Sequence, residues 1–521
     1  MSRPLALLSL LVAGGCSADS MLSMRDDEDA GASDYGSTDG GTSDGGSAGS
    51  ADGGATEPEE EDSFFALAPA ATAAYVFVAN PDRDTVTRVA VPSLAVITTE
   101  VGDHPIAVAT TSDYRKAVTF NEGDDTVSVI DAETLTVTDV EVRANFNAMA
   151  MSPDGRWVLC WHDEDVDEEE SDEGGAQSFN EVSVVDTENL VHTPMVVGFN
   201  PRGVQFTEDS GMAVVVSDAY LAVIDFEADE LAPERIAVSE DLVDPPLAEE
   251  VLLDPAGRYA FVRQFGATEL VLVDLLEQVV DRVAVGANPT DLDLLPDGLR
   301  AVAVARDSHE LWLYDLEDPT APAEVVAMPD TETLGSVLMS PDGRRGLLYS
   351  TASGDSRYAS WELDSDEITV RALVKQVGAM GISPTGETAL VFHPKDNGTD
   401  VASDSAFYNQ WALTMIDLTD DFFTNPLRLP AEPTGFASSA DGTQGYFIME
   451  GEPLLEVLHY QSLMYDEYEL GSDPMHVGVL PESTLAWVSQ DHPLGRMSFF
   501  DPATDVLQTL TGFELNSGIE H

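Results

Sequence analysis

The chain has 521 residues, and its 96 Asp and Glu residues against 23 Lys and Arg residues give a formal net charge of −73 at pH 7. A charge of this size repels nucleic-acid phosphates and anionic lipid headgroups, which excludes both as direct partners of a folded body. It favours cations and basic partners, and the hydrophobic content of 43% is ample for a core.

The first element of the chain is a leader. Residues 1–16, MSRPLALLSLLVAGGC, contain one Arg, an apolar stretch too short to span a membrane, and small residues before Cys16. The segment resembles a bacterial lipoprotein signal peptide, although Ala13 stands where that family prefers Leu. The resemblance implies that residues 1–15 are removed and that Cys16 receives a lipid. Because Ser17 follows the cysteine, it further implies an outer-membrane or cell-surface lipoprotein of the bacterial envelope; a plain secretory signal is the alternative.

A low-complexity segment follows the leader. Residues 16–70 are rich in Gly, Ser and Asp and contain few apolar residues before Phe64. Such a segment cannot bury enough surface to offset the entropy of ordering. We therefore expect a flexible, self-repelling tether between a lipid anchor and a folded body at 71–521, with the membrane contacted only through the lipid.

Cysteine usage excludes an internal disulfide framework in the body. The two cysteines are Cys16 and Cys160, so only Cys160 remains in the body. Cys160 lies in the apolar run WVLCW, which favours a buried strand residue; a reactive thiol is the alternative.

One pattern recurs from about Tyr75 onward. Short apolar strands alternate with polar turns, and nine turns of the SPDG type or its variants each precede an apolar strand, as SPDG at 152–155 precedes Trp157–Trp161. In such a turn Pro presets φ, Asp caps the turn and Gly accepts positive φ. With the strand at Tyr75–Ala79 there are ten starts, about 40 to 57 residues apart. Four short strands at this period predict an all-β fold, a β-propeller of four-stranded antiparallel blades.

The repeats resemble the YVTN-type family of surface and periplasmic β-propellers. The segments that carry the resemblance are YVFVAN, DTVSVIDAETLTVTDVEV, VGDHPIAVA, VGANPTDLDLLPDG and MSPDGR. The resemblance covers about residues 75–521 and implies the fold, whereas the motifs are scaffolding and do not specify a function.

The blade count has three interpretations at this point. Ten repeat units predict about ten blades, and the alternatives are seven or eight blades with decorations, or two smaller propellers. The chain enters at the second strand of a blade, so we expect residues 511–521 to supply the innermost strand of the first blade and remove its open edge.

The variable loops indicate where function lies. With strands a to d counted from the axis outward, the SPDG-type turns join a to b on one face, and the b–c and d–a loops lie on the other. Most b–c loops are short, but those at 162–180 and 393–410, in units three and eight, are long. Long loops on a rigid scaffold are where function usually concentrates, so this face is the candidate binding face.

The first long loop contains an acidic run that includes Asp163, Asp165 and Asp167. A dedicated calcium loop needs Gly at a fixed turn position, but here the glycines come only afterwards, at Gly174 and Gly175. Dense like charges repel and stay extended. We favour a solvated loop over a contact with a basic partner, and both over a site for a divalent cation such as calcium.

Four histidines are predicted to lie on the candidate binding face. His104 and His476 flank the Pro of d–a turns, next to Asp103 and Asp473, and His162 and His393 end b strands. No histidine pair has the spacing of a metalloprotease helix. Separate turn and rim histidines are favoured over a metal or catalytic cluster.

Aromatic residues mark the second long loop. Phe407 and Tyr408 could anchor a partner, or could pack the loop onto its own blade, which we favour.

Residues 71–521 contain no catalytic motif: this part of the chain has no G-x-S-x-G, phosphate-binding loop or dinucleotide fingerprint. The sequence therefore favours a non-enzymatic scaffold that binds an envelope or extracellular protein or polymer, without a cofactor. The alternative is a lactonase-like propeller hydrolase with a cation at the central channel, which the resemblance to propellers and the acidic d–a turns keep open. A purely structural envelope component is the third hypothesis.

Overall fold

The computed structural model describes residues 70–163, 179–239, 242, 246, 248–264, 267–399, 401–419, 421–481 and 483–512. They form forty strands in ten four-stranded antiparallel sheets, and the regular structure besides strands is a single 3-10 turn at Pro81–Arg83. None of the described residues belongs to a helix of the length and apolarity that crossing a bilayer requires.

Each sheet is one blade, with its strands in chain order from the inside outward. The strands of the first five blades are β1 (Ala70–Ala71), β2 (Tyr75–Asn80), β3 (Thr85–Ala90), β4 (Ala95–Glu100); β5 (Pro105–Thr110), β6 (Lys116–Asn121), β7 (Thr126–Asp131), β8 (Val137–Glu141); β9 (Ala148–Met151), β10 (Trp157–Trp161), β11 (Glu181–Asp186), β12 (Val191–Val196); β13 (Pro201–Phe206), β14 (Met212–Ser217), β15 (Tyr220–Asp225), β16 (Pro233–Ala237); and β17 (Ala248–Leu253), β18 (Tyr259–Gln264), β19 (Glu269–Asp274), β20 (Val279–Ala284).

The other five blades follow the same plan. Their strands are β21 (Pro289–Leu294), β22 (Arg300–Ala305), β23 (Glu310–Asp315), β24 (Glu324–Ala327); β25 (Ser336–Met339), β26 (Arg345–Tyr349), β27 (Arg357–Glu362), β28 (Glu367–Ala372); β29 (Ala379–Ile382), β30 (Thr388–His393), β31 (Trp411–Asp417), β32 (Phe423–Leu429); β33 (Pro433–Ser438), β34 (Gln444–Met449), β35 (Glu452–His459), β36 (Met464–Glu469); and β37 (Pro474–Val479), β38 (Ala486–Gln490), β39 (Arg496–Asp501), β40 (Val506–Thr511).

The core lies between the blades. The described residues form ten clusters of buried apolar side chains, and each cluster combines residues from two neighbouring blades. One of them joins Val76 and Val89 of blade 1 to Trp487 and Phe499 of blade 10. An open row of ten blades would have nine such interfaces, so the ten clusters close a ring. The chain is a ten-bladed β-propeller, and the alternatives of seven or eight blades, or of two propellers, are wrong.

The turn chemistry explains the regularity of the blades. Gly155 and Gly343 adopt φ of +74° and +68°, as the SPDG turn requires. Asp154 Oδ1 accepts hydrogen bonds from Ser152 Oγ (2.6 Å) and from the backbone N of Arg156 (2.9 Å), which closes the turn before β10. The same left-handed glycine recurs in four other a–b turns, at Gly257, Gly298, Gly386 and Gly442.

The start of blade 1 differs from the sequence prediction. Tyr75–Asn80 is the second strand of its blade, as expected, but the strand beside it is β1, at Ala70–Ala71. Thr511 ends the outermost strand of blade 10, and residues 513–521 lie outside the described residues. The innermost strand position of blade 1, predicted for residues 511–521, is thus occupied by β1. A short turn between β1 and β2 places β1 on the inner edge of β2.

The few cations bind neighbouring blades together. Arg88 of blade 1 donates to the carbonyls of Ala132 and Glu133 in the c–d turn of blade 2, at 2.6 and 2.7 Å. Lys116 of blade 2 donates to the carbonyl of Thr187 in blade 3 at 2.7 Å. These charge-assisted bonds satisfy turn carbonyls at the blade junctions.

Cys160 lies on the b strand of blade 3 and is fully buried against Val158 and Val185, at the junction with blade 2. Burial raises the pKa of the thiol above its usual range. The interpretation of Cys160 as a buried strand residue is confirmed.

Candidate functional site

We call the side of the ring that carries the b–c and d–a loops the loop face. The d–a loop entering a blade is bonded to the b–c loop of that blade: Gly123 N donates to the carbonyl of Asp103 (2.9 Å) and Asp491 N donates to that of Asp473 (2.8 Å). The two loop types therefore form a continuous surface on one side of the ring.

Asp103 and His104 are exposed on the loop face where the chain enters blade 2. His104 has a left-handed backbone with φ of +53°, and Asn200 and Asn288 adopt the same conformation before the Pro that opens other blades. Its backbone N donates to Asp84 Oδ1 of blade 1 at 2.9 Å. The backbone of His104 thus holds two blades in register, while its ring stays accessible.

Asp473 and His476 occupy the entrance to blade 10. Asp473 is exposed, whereas His476 is half-buried, and its backbone N donates to Ser489 Oγ at 3.1 Å. Burial lowers the pKa of His476, so its ring is neutral at pH 7.

These four residues belong to blades 2 and 10, which are separated by blade 1. Among the residues that the structure describes, no three His, Cys, Asp or Glu side chains are grouped so that they could hold a metal ion.

His162 and Asp163 lie at the base of the long loop of blade 3, and both are buried. The His162 ring packs edge-on against Phe179, with ring centroids 5.4 Å apart. The backbone N and O of Asp163 pair with the side-chain amide of Asn147 at 2.7 and 2.8 Å. Asp163 therefore belongs to the blade and not to a solvated run, and Asp165 and Asp167 lie outside the described residues.

His393 is a buried structural residue of blade 8. Its Nδ1 lies 2.7 Å from the carbonyl of Gln376, and its Nε2 lies 2.8 Å from Thr414 Oγ1. Burial lowers the pKa of His393 to about 4, which keeps the ring neutral at pH 7. Since both ring nitrogens are engaged, His393 is not exposed on the rim as predicted from the sequence.

The long loop of blade 8 (394–410) is held at its base by a fully buried lysine. Lys375 Nζ donates to the carbonyls of Lys395 (3.0 Å) and Gln410 (2.6 Å), which start and end the loop. Farther along, Thr399 N donates to the carbonyl of Gly354 in the b–c loop of blade 7 at 3.0 Å. The loop is therefore tied both to its own blade and to the next.

Phe407 and Tyr408 lie near the end of loop 394–410. Phe407 is half-buried, and Tyr408 has 38% of its surface exposed. Trp411, at the start of β31, packs against the core between blades 8 and 9. The aromatic residues thus divide between packing and exposure, and Tyr408 is the one available to a partner.

A groove on the loop face between blades 3 and 4 was not predicted from the sequence. We call it the aromatic groove; its volume is about 360 Å³, and it is lined by Phe179, Asn180, Val196, Gly198, Phe199, Tyr220 and Arg235. A Cβ at Gly198 would lie 2.2 Å from Ser217 Oγ, so glycine is needed for the close approach of the two blades. The lining residues come from two blades. The sequence shows that several of them are aromatic, but it does not show that they meet in one groove.

Comparisons with known proteins concern the fold. No protein family profile matches the chain, and no curated protein sequence matches it. The structure of a eukaryotic initiation factor aligns over 76% of this chain and 96% of its own, with 12% identity and a TM-score of 0.51. This likeness supports the architecture and carries no information about activity.

Two further solved structures align less closely. Dihydro-heme d1 dehydrogenase NirN in complex with DHE aligns over 78% of this chain and 76% of its own, with 15% identity and a TM-score of 0.44. The β-propeller domain of Myceliophteria thermophila Cps50 (Swd1) aligns over 58% of this chain and 95% of its own, with 12% identity and a TM-score of 0.34.

Proposed function

We propose that the protein is an envelope lipoprotein whose propeller binds a protein or polymer partner through the loop face. The observation that carries this proposal is the placement of the two long b–c loops. The strands that flank them belong to blades 3 and 8, which are five blades apart in a ring of ten, so the two loops start on opposite sides of the channel. A partner that spans the mouth of the channel would contact both.

The build of loop 394–410 supports the same function. A loop fixed by Lys375 at its base and by Thr399 against blade 7 loses little conformational freedom when a partner binds. Because less ordering entropy is lost, a rigid loop presents contacts such as Tyr408 more effectively than a mobile loop would.

The loop-face proposal predicts that both long loops are needed for binding. We expect deletion of residues 165–175, combined with replacement of 401–408 by a short Gly/Ser linker, to reduce partner capture at least tenfold. The measurement is a pull-down of cell-envelope extract on the immobilised full chain. Replacement of the short b–c loop 122–125 is the matched control and should retain capture; unchanged capture by the double variant would exclude the loop face.

We further propose that a lipid on Cys16 anchors the protein and that the tether runs from there to the start of β1 at Ala70, with the propeller belonging to the YVTN-type repeats. The lipobox-like Ala13-Gly14-Gly15-Cys16 and the composition of 16–70 support this. We expect Cys16→Ser to abolish incorporation of radiolabelled palmitate and to move the protein from the membrane fraction to the soluble fraction. Cys160→Ser is the control; labelling that survives Cys16→Ser would refute the anchor.

The second candidate function is a lactonase-like hydrolase that uses a divalent cation. Exposed Asp103 and Asp473, each beside the first strand of a blade on the loop face, favour it. A stoichiometric metal in the purified protein together with metal-dependent turnover of a lactone would select the hydrolase over the scaffold.

A further inference from the structure

The aromatic groove exposes apolar surface in a chain that is otherwise strongly charged. Phe199 has 58% of its surface exposed and Val196 has 42%, and the two lie in the same groove. The rings of Phe179 and Phe199 lie 6.2 Å apart at 38°, so they form one continuous wall. Single exposed apolar residues are ordinary, but a contiguous group that lines a groove marks an interaction site.

The opposite wall already holds a cation. The guanidinium carbon of Arg235 lies 6.0 Å from the centroid of the Tyr220 ring, the outer limit of a cation–π contact. The groove therefore has the size and the π surface to accept a guanidinium, and Arg235 shows the geometry of such a contact from within the chain.

The charge of the chain selects the sign of the ligand. Nine of the eleven residues from Asp163 to Glu173 are acidic, and Glu173 precedes Phe179 by six positions in the sequence. Arg235 is the one basic residue among those that line the groove. The potential of a chain with a net charge of −73 attracts a basic partner and repels an acidic one.

We propose that the aromatic groove binds an arginine side chain of a basic partner peptide, stacked between the Phe179–Phe199 wall and Tyr220. The inference rests on the proposed function, because it assigns a specific contact and a partner chemistry to the loop face. Acidic charge brings the peptide to the face, and the aromatic rings supply the specific contact.

The test measures binding of a fluorescein-labelled (Arg-Gly-Gly)4 peptide to the full chain by fluorescence anisotropy in 150 mM NaCl. We expect Phe199→Leu, which keeps apolar surface but removes the π face, to weaken binding about three- to fivefold. Phe423→Leu is the matched control, since Phe423 is 60% exposed on blade 8, and it should leave binding unchanged. Arg235→Ala frees the Tyr220 ring and should strengthen binding at least twofold.

Three outcomes of the peptide assay would overturn the proposal. Equal binding by the wild type and Phe199→Leu would show attraction by net charge alone. Weaker binding by Arg235→Ala, or tighter binding of (Glu-Gly-Gly)4 than of the arginine peptide, would show that the groove takes an anion. The loop-face proposal has its own test, which measures capture of envelope partners by the loop variants. Intact capture by Phe199→Leu together with lost capture by the loop variant would refute only the groove.

Discussion

The free energy of unfolding of the wild type is expected to fall by about 2 kcal/mol between pH 6.5 and pH 8.5. Replacement of Glu456 by glutamine is expected to remove most of this fall. Glu456 lies on β35 with 3% of its surface exposed, and its Oε2 is buried without a hydrogen-bond partner. Burial, together with the charge of the neighbouring Glu467, raises the pKa of Glu456 to about 8. The folded protein therefore holds a proton at pH 7 that the unfolded chain, with a carboxyl pKa near 4.5, has released.

The sign of the effect follows from this difference. A group whose pKa is raised by folding stabilises the protein fully below the unfolded pKa and loses that contribution as pH rises through the folded pKa. The contribution of Glu456 thus falls between about pH 4.5 and pH 8. His393 acts in the opposite direction on the acid side, because its pKa of about 4 makes stability fall as pH drops below about 6.5. Above pH 6.5 the Glu456 effect is separate from that of His393.

The measurement is the free energy of unfolding from urea titrations of wild type and Glu456→Gln at several pH values from 6.5 to 8.5. The wild type should lose stability with rising pH, and the variant should lose much less and exceed the wild type at pH 8.5. Glu467→Gln is the matched control: Glu467 pairs with Glu456 in the strand register but is exposed, so its removal should leave most of the slope. A slope in Glu456→Gln equal to that of wild type would refute the buried proton.

The reason why the Glu456 carboxyl lacks a hydrogen-bond partner is visible only when the blades are compared by strand register. In blade 2 the equivalent position is Ser128, which accepts from Asn121 Nδ2 at 2.8 Å and donates to Asp139 Oδ1 at 2.6 Å. Blade 9 replaces Asn121 by Met449, so no amide reaches the strand c position. The repeat pattern identifies the strand b and strand c positions that correspond in the two blades. Whether the strand c side chain has a hydrogen-bond partner depends on which side chains face each other across three strands.

The fold itself was accessible from the sequence because its determinants are local. A turn such as Ser152 to Gly155 needs Pro, Asp and Gly at fixed positions, and its recurrence predicts the blade and ten repeat units. The number of blades stayed open in the sequence, because it depends on how the units pack around the ring. The prediction that residues 511–521 complete blade 1 depended on a distant pairing instead, and β1 occupies that position.

The candidate site was less accessible, because burial at the loop face depends on neighbouring strands. His393 ends β30 and His162 directly follows β10, and both were predicted to line the rim. Both are buried, because His393 bonds to Thr414 of its own sheet and the His162 ring packs against Phe179. The aromatic groove combines Phe179 and Tyr220, which belong to different blades. Sequence periodicity assigns each residue to a loop or strand but does not say which of them meet.

Replacement of Lys375 by methionine is expected to lower the free energy of unfolding by about 2 kcal/mol and to loosen loop 394–410. The methionine has a similar length but leaves the carbonyls of Lys395 and Gln410 without the donor that joins the two ends of the loop. Burial lowers the pKa of Lys375, so removal of the charge returns part of its desolvation cost and keeps the net loss moderate.

Lys395→Met provides a matched control, because Lys395 lies in the same loop with an exposed side chain. Only its backbone carbonyl takes part in the hydrogen bonds of Lys375. It should change stability by less than about 0.5 kcal/mol. Hydrogen–deuterium exchange over residues 396–410 should become faster in Lys375→Met and stay unchanged in Lys395→Met. Equal exchange in both variants would show that contacts such as Thr399 with Gly354 suffice to hold the loop. Faster exchange combined with weaker partner capture would connect the buried lysine to the loop face, because the rigidity of that loop is what the proposed binding mode requires.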